Sequence, residues 1–358
     1  MFNLSSTLEH HARQSPSKEA IVFADKRISY AQLNAVSNQI ANGLIGLGIG
    51  YGDKVALTCP NLPYFPMIYF GILKTGASVV PLSVLLKKNE ITYHLQDSDA
   101  KAYFCFTGTA ELPMGQEGFA GFEQAASCEH FIMITPSFSD ASPISGTQTL
   151  GQFIANQSIA FQSYFTAPDD TAVIIYTSGT TGKPKGAELS HANLFLNANL
   201  SRDLLELKPQ DKPMLVLPLF HIFGQVVGML ACVYQGATAV IVPRFDAEMV
   251  LQLIQTEGVT HFAGVPTMYW GLLNYPEMEK FDLNKIKSSL RSCVSGGAAL
   301  PVQVLKDFEQ KFEVAILEGY GMSEGSPVVT FNHPNRIRKP GSVGTPAWGV
   351  EVSIQDEN

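Results

Sequence analysis

The chain has 358 residues, 46% hydrophobic and 16% charged, with a net charge of −8. That length can bury a large core, as two compact units or one large α/β unit, and an acidic balance with scattered Lys and Arg offers nucleic acid no basic face. Cys59, Cys105, Cys128, Cys232 and Cys293 form no C-x-x-C pair, and the N-terminus lacks a basic and then apolar leader, which together fit structural thiols in a reducing cytosol.

From the N-terminus, Tyr30 to Leu47 carries Leu33, Val36, Ile40, Leu44 and Leu47 at helical spacing. Strands are expected at Val55–Thr58, Val79–Leu82, Ala102–Phe106 and Phe131–Thr135, with helices near Met67–Leu73 and Glu90–Gln96. Residues 137–170 are rich in Ser, Gly, Pro and Gln, which places a subdomain boundary there. Beyond it, strands are expected at Ala172–Tyr176, Met214–Leu217, Ala239–Val242, His261–Ala263, Ser292–Ser295 and Val314–Leu317. Helices are expected at Ala192–Leu207, Gln225–Tyr234, Ala247–Thr256 and Pro301–Phe312, with Asp246 as an N-cap and Pro301 in a first turn. No charge lies between Lys212 and Arg244, yet Pro218, His221, Gly224, Gln225, Gly228, Gln235 and Gly236 break the run. It reads as a buried strand, a turn, a buried helix and a strand rather than a membrane span; peripheral membrane attachment stays open. Short apolar strands alternating with helices imply parallel sheets covered on both faces. Val350–Ile354 alternates like a half-buried strand, and its position suggests a sequence cut from something longer.

One stretch carries chemistry on its own composition. Tyr176-Thr177-Ser178-Gly179-Thr180-Thr181-Gly182-Lys183-Pro184-Lys185-Gly186 puts hydroxyls, glycines and lysines at the end of a buried strand. Glycine backbone can approach an anion, hydroxyls donate to phosphate oxygens, and Lys adds a point charge. It is not a G-x-x-x-x-G-K-[ST] loop, since Thr177 holds the first glycine's place and Pro184 follows the lysine.

That string resembles the phosphate loop of the adenylate-forming superfamily, which holds acyl-CoA synthetases, luciferases and peptide-synthetase adenylation domains. Further matches follow in order: Pro218–Gly224, similar to the acid-pocket motif of fatty acyl-CoA and coumarate-CoA ligases; Ser295–Leu300, similar to the strand end flanking adenine; Glu318–Glu324, similar to the adenine and magnesium motif; and Gly341–Pro346. Val265–Tyr269 resembles a stretch of fatty acyl ligases.

The resemblance implies an α/β fold of two stacked αβαβα-type subdomains with largely parallel sheets, residues 1–165 and 166–340. Residues 341–358 would begin a small β subdomain, and a C-terminal domain with its lysine would lie beyond. It implies ATP, Mg2+ and CoA as cofactors and a fatty acid as substrate. Thr177, Ser178, Gly179, Thr180, Thr181, Gly182 and Lys185 would hold phosphates, with Ser323. Gly297, Ala298, Ala299, Glu318, Gly319, Tyr320 and Gly321 would hold adenine, Glu324 would hold Mg2+, and Arg244 would face a CoA phosphate. His221, Phe223, Val227, Gly297, Gly319 and Gly321 would line the acid site, with Lys185, Ser323, Glu324 and His221 carrying the chemistry. Where amino-acid-activating relatives place an Asp, this chain has Phe220-His221, which disfavours a substrate amine. An acyl-AMP ligase serving a carrier protein, a non-catalytic nucleotide- or acyl-binding module, and a homodimer stay open.

Overall fold

The computed structural model describes residues 2–178 and 182–356. Its strands are β1 (Glu19–Phe23), β2 (Lys26–Ser29), β3 (Lys54–Thr58), β4 (Ser78–Pro81), β5 (Ala100–Phe106), β6 (His130–Ile134), β7 (Gln148–Thr149) and β8 (Thr171–Thr177). They continue with β9 (Lys185–Ser190), β10 (Pro213–Leu215), β11 (Ala239–Ile241), β12 (His261–Gly264), β13 (Ser292–Ser295), β14 (Ile316–Gly321), β15 (Val328–Phe331) and β16 (Thr345–Pro346).

Two mostly parallel sheets result. Among the described residues, one has seven strands in the order β7-β6-β5-β3-β4-β8-β9, the other nine in the order β16-β15-β14-β13-β12-β10-β11-β1-β2. This order does not follow a linear division at residue 165. The hairpin β1–β2 sits in the second sheet, with Ile21 opposite Ala239, while β8 and β9 close the first sheet, with Val173 opposite Val79. The reason is local chemistry. Ala20, Ile21 and Val22 are buried and need a sheet neighbour, which the short polar β2 supplies on one side only.

Helices fill the space between the sheets. Tyr30–Gly46 begins at a capping box formed by Ser29 and Gln32, and Leu33, Ile40 and Leu44 are fully buried. Every residue of the helix Tyr64–Lys74 is buried, as a helix packed on all sides must be. One apolar cluster joins Val55 and Phe104 of the first sheet to Ile21, Leu215 and Ile241 of the second through these helices.

The run between Lys212 and Arg244 folds as expected into strand, turn, buried helix and strand. Among the described residues no helix is long and apolar enough to cross a membrane. All five cysteines are free and buried. Asp246 caps its helix through the Met249 N–H, whereas Pro301 is itself the N-cap, with ψ at 128°, and the helix starts at Val302. Val350–Ile354 is not a strand; Val352 and Ile354 are exposed, and alternation without a neighbouring strand supplies no ladder. The C-terminal pairing is made instead by β16 against β15.

Candidate active site

The site forms at the C-terminal ends of β13 and β14, which run parallel with Ser295 opposite Glu318; ligand crevices of α/β sheets open at such strand ends. β15 then returns antiparallel, with Gly319 opposite Phe331 and Tyr320 opposite Thr330. Two glycines leave no room for a side chain here, and a third is tightly packed. A Cβ on Gly319 would lie 2.5 Å from the Phe331 ring, one on Gly321 would lie 2.3 Å from the Pro327 carbonyl, and one on Gly296 would lie 3.1 Å from the Phe223 ring. The strand ends therefore present bare backbone to two phenyl rings. The cavity between them, about 280 Å³, has Phe223, Val227, Gly297, Tyr320, Val328 and Phe331 among its walls. Tyr269, on the helix Pro266–Leu273, braces the floor by donating to the Val294 carbonyl at 2.6 Å.

His221, Ile222 and Phe223 complete the wall, and the segment Pro218–His221 that leads into them is held by two buried amides. Asn61 donates to the carbonyls of Leu215 (3.2 Å) and Leu217 (2.9 Å) and accepts from the Leu219 N–H at 2.9 Å. Gln225 donates to the Leu219 carbonyl at 3.2 Å and accepts from the Tyr69 hydroxyl at 3.3 Å. The chain then winds into a π-helix, Phe223–Leu230, before the α-helix Ala231–Gln235; such wide turns recur at functional sites. Phe223 and Val227 both line the cavity. His221 opens into the cavities, so its ring is solvent-accessible yet walled by protein, and desolvation holds its imidazole below the ordinary value. Its Nδ1 accepts from the Phe223 N–H at 3.2 Å, which places the proton of the neutral ring on Nε2.

The hydroxyl and lysine loop is the connection of a β-hairpin, since β9 runs antiparallel to β8 with Thr177 opposite Lys185. Gly179, Thr180 and Thr181 lie outside the described residues. Thr177, Ser178, Gly182 and Lys183 line a second cavity of about 940 Å³. Gly182 has φ +109°, a conformation open to glycine alone among common residues. The outgoing limb is anchored from the helix Lys88–Asp97: Tyr93 donates to the Pro184 carbonyl at 2.8 Å, and the Lys183 Nζ lies 5.4 Å from the Tyr93 ring centre. His221 and Ser323 belong to both cavities. Glu324 is exposed in the turn Ser323–Gly325 beside them. Among the described residues no three His, Cys, Asp or Glu cluster for a metal. A lone carboxylate beside a glycine and hydroxyl loop suits Mg2+, which takes one or two carboxylates and fills its shell with phosphate and water.

Thus the fold brings together Thr177, Ser178, Gly182, His221, Phe223, Val227, Gly297, Gly319, Tyr320, Gly321 and Ser323. Other expected residues sit off the cavity walls. Glu318 is buried, and its carboxylate accepts from the Gly341 N–H at 3.2 Å, so it ties β14 to the following loop rather than lining the cavity. Ala298 and Ala299 are exposed beyond the wall, Lys185 starts β9 facing solvent, and Arg244 is exposed on the connection after β11. Motif reading missed Asn61, Gln225, Tyr93, Thr330 and Phe331. Only the apolar run Val328–Phe331 carried a signal, as a strand directly after a motif.

The chain matches the AMP-binding enzyme family over residues 8–358. It is 31% identical to a long-chain-fatty-acid–CoA ligase of Bacillus subtilis, covering 99% of this chain and 66% of that protein. It is also 31% identical to an oxalate–CoA ligase of Arabidopsis thaliana, covering 99% and 67%. The crystal structure of the anthranilate CoA ligase AuaEII in complex with anthranoyl-AMP superposes with a TM-score of 0.90 at 30% identity, covering 99% of this chain and 66% of that one. The chain therefore spans about two thirds of the length of these relatives. Adenylate-forming CoA ligases use ATP, Mg2+ and CoA. With the bare strand ends, the clamped His221 segment and the glycine and hydroxyl hairpin all inside the matched residues, the chain belongs to the AMP-binding enzyme family.

Proposed function

We propose that this site activates a carboxylic acid with an apolar body, fatty acids among the candidates, as an acyl-adenylate and passes the acyl group to CoA. The observation that carries the reading is the junction of the two cavities at His221 and Ser323. An acid seated between Phe223 and Phe331 would meet there a phosphate held by the hairpin loop. In the first step a carboxylate oxygen bonds to the α-phosphorus while the bond to pyrophosphate breaks. The carboxylate is already ionised at neutral pH, so no base is needed. The residues contribute position and charge: Thr177 and Ser178 donate to phosphate oxygens, Ser323 holds phosphate at the junction, and Tyr320 stacks on adenine against the Gly297 backbone. Mg2+ held by Glu324 would neutralise phosphate charge. In the second step the CoA sulfur bonds to the acyl carbon and AMP departs.

Among the described residues no Asp or Glu lines the acid cavity, which supports an acid without an amine, since a buried ammonium would lack a partner. The assay is acid-dependent pyrophosphate release with and without CoA, beside calorimetry with ATP and with an acyl-sulfamoyl adenosine. Acid-dependent pyrophosphate with CoA-dependent AMP is the expected result. AMP release that requires a carrier protein would move the acceptor from CoA. Analogue binding without any pyrophosphate from this chain would mark it as a binding unit, and the absence of both binding and release would overturn the reading.

A further inference from the structure

Phe331 carries more of the acid site's selectivity than any motif indicates. It lies on β15 and its ring rests directly on Gly319, where even a methyl group would come within 2.5 Å of the ring. The ring is buried, at 6% exposure. It forms part of the cavity wall and at the same time belongs to a closed apolar cluster with Leu204, Leu205, Leu207, Val294 and Leu317. Val227, Val294 and Val328 also belong to both, so Phe331 is the one aromatic side chain among the buried cluster residues that face the cavity. Phe223 closes the cavity beside it, its ring within 3.1 Å of the Cβ position of Gly296. Two rings seated on bare backbone cannot retreat toward the strands, because backbone atoms already occupy that space.

We propose that Phe331 sets the depth of the acid pocket, and that the pocket takes compact acids, aryl or short-chain, whose apolar end abuts this ring rather than long-chain acids. The inference rests on the acid-activating reading above. A longer chain would have to displace the phenyl group into Leu204, Leu205 and Leu207, which are close-packed, and overpacking of this kind is resisted. Removing the ring opens the cavity toward that apolar cluster, where added methylenes gain burial instead of clashing.

The test is calorimetric titration of this chain with acyl-sulfamoyl adenosines carrying acetyl, butanoyl, benzoyl, octanoyl and palmitoyl groups, beside sulfamoyl adenosine without an acyl group. The wild type is expected to bind the compact members best and to lose about tenfold or more in affinity by palmitoyl. Phe331→Ala should shift the optimum to longer chains and gain about tenfold for octanoyl over wild type. Phe331→Leu should shift it in the same direction by a smaller step, with unchanged affinity for the acyl-free compound. Phe331→Leu keeps the position apolar and so reports on the proposal where the alanine variant fails to fold. Wild-type binding of palmitoyl as tight as benzoyl, or folded variants with an unshifted chain-length profile, would overturn the proposal. No binding of any adenosine compound by the wild type would instead remove the acid-activating reading beneath it.

Discussion

The clamp at Asn61 should be worth more to this protein than its distance from any motif suggests. In Asn61→Ala three hydrogen bonds disappear: those to the Leu215 and Leu217 carbonyls and that from the Leu219 N–H. The Leu215 carbonyl keeps a partner, since the Val242 N–H also donates to it at 3.0 Å. The Leu217 carbonyl and Leu219 N–H lose their side-chain partner inside a core where Leu219 is 0% exposed. A buried group left unpaired costs about 1–3 kcal/mol, so the variant should lose about 3 kcal/mol of stability. The loosened segment carries His221 and Phe223, and therefore acyl-sulfamoyl adenosine affinity should fall about tenfold, the equivalent of 1.4 kcal/mol. ATP affinity should fall much less, because the hairpin loop is anchored separately through Tyr93. Urea unfolding gives the first quantity and calorimetry the other two. Asn61→Asp keeps the acceptor for Leu219 but turns two donors into a carboxylate facing carbonyls, and should be at least as damaging. A stability loss below about 1 kcal/mol together with unchanged analogue affinity would refute the clamp.

Lys185→Ala should weaken ATP binding by calorimetry and leave the circular dichroism spectrum unchanged; equal ATP affinity would remove this exposed residue from the phosphate site. Val227→Trp should reduce binding of longer acyl analogues more than short ones, because Val227 shares the cavity wall with Phe223, and equal losses would take it off the acyl path. His191 is buried, accepts from the Leu4 N–H through Nδ1 at 3.1 Å, and is lowered to about 4 from 6.5 by desolvation. The folded state holds it neutral, so its contribution is complete above the unfolded value of about 6.5 and is lost as pH falls from there toward 4. That amounts to as much as roughly 3 kcal/mol. His191→Asn keeps an acceptor for Leu4 and should flatten the decline of the urea midpoint between neutral and acidic pH; an unchanged slope would refute the assignment.

What could be read from the sequence divides by how local its cause is. β3, β5 and β6 were legible because strands buried on both faces are near-continuous apolar runs. β9 was not, since Lys185, Gly186 and Glu188 are exposed and an edge strand with polar faces has no such signature. Its omission made the glycine and hydroxyl loop look like a strand end when it connects two paired antiparallel strands. Val350–Ile354 failed the other way, having alternation without a neighbour to pair with. At the strand ends, the loops that line the cavities were legible because glycines, hydroxyls and lysines mark loops by their chemistry. Glu318 was read from its type as an adenine contact; its neighbours could not be read, and its carboxylate accepts from the Gly341 N–H. Asn61 and Phe331 were invisible because their importance comes from groups far along the chain, Leu219 and Gly319, which only the fold brings near.

The pairing of β1 with β11 also governs how the polypeptide can acquire its structure during synthesis. Ile21 leaves the ribosome early, yet its ladder partner Ala239 emerges only after both β8 and β9. Until then β1 and β2 form an isolated hairpin with one unpaired apolar edge, a template for pairing with the wrong chain. Contacts so distant in sequence close slowly, and nascent chains that expose such edges aggregate or recruit chaperones. Fragments ending near residue 165 would keep β1 without its partner and lack β8 and β9. Splitting this protein at its most linker-like stretch should therefore yield two insoluble pieces, and co-expression of both should be needed to restore either sheet.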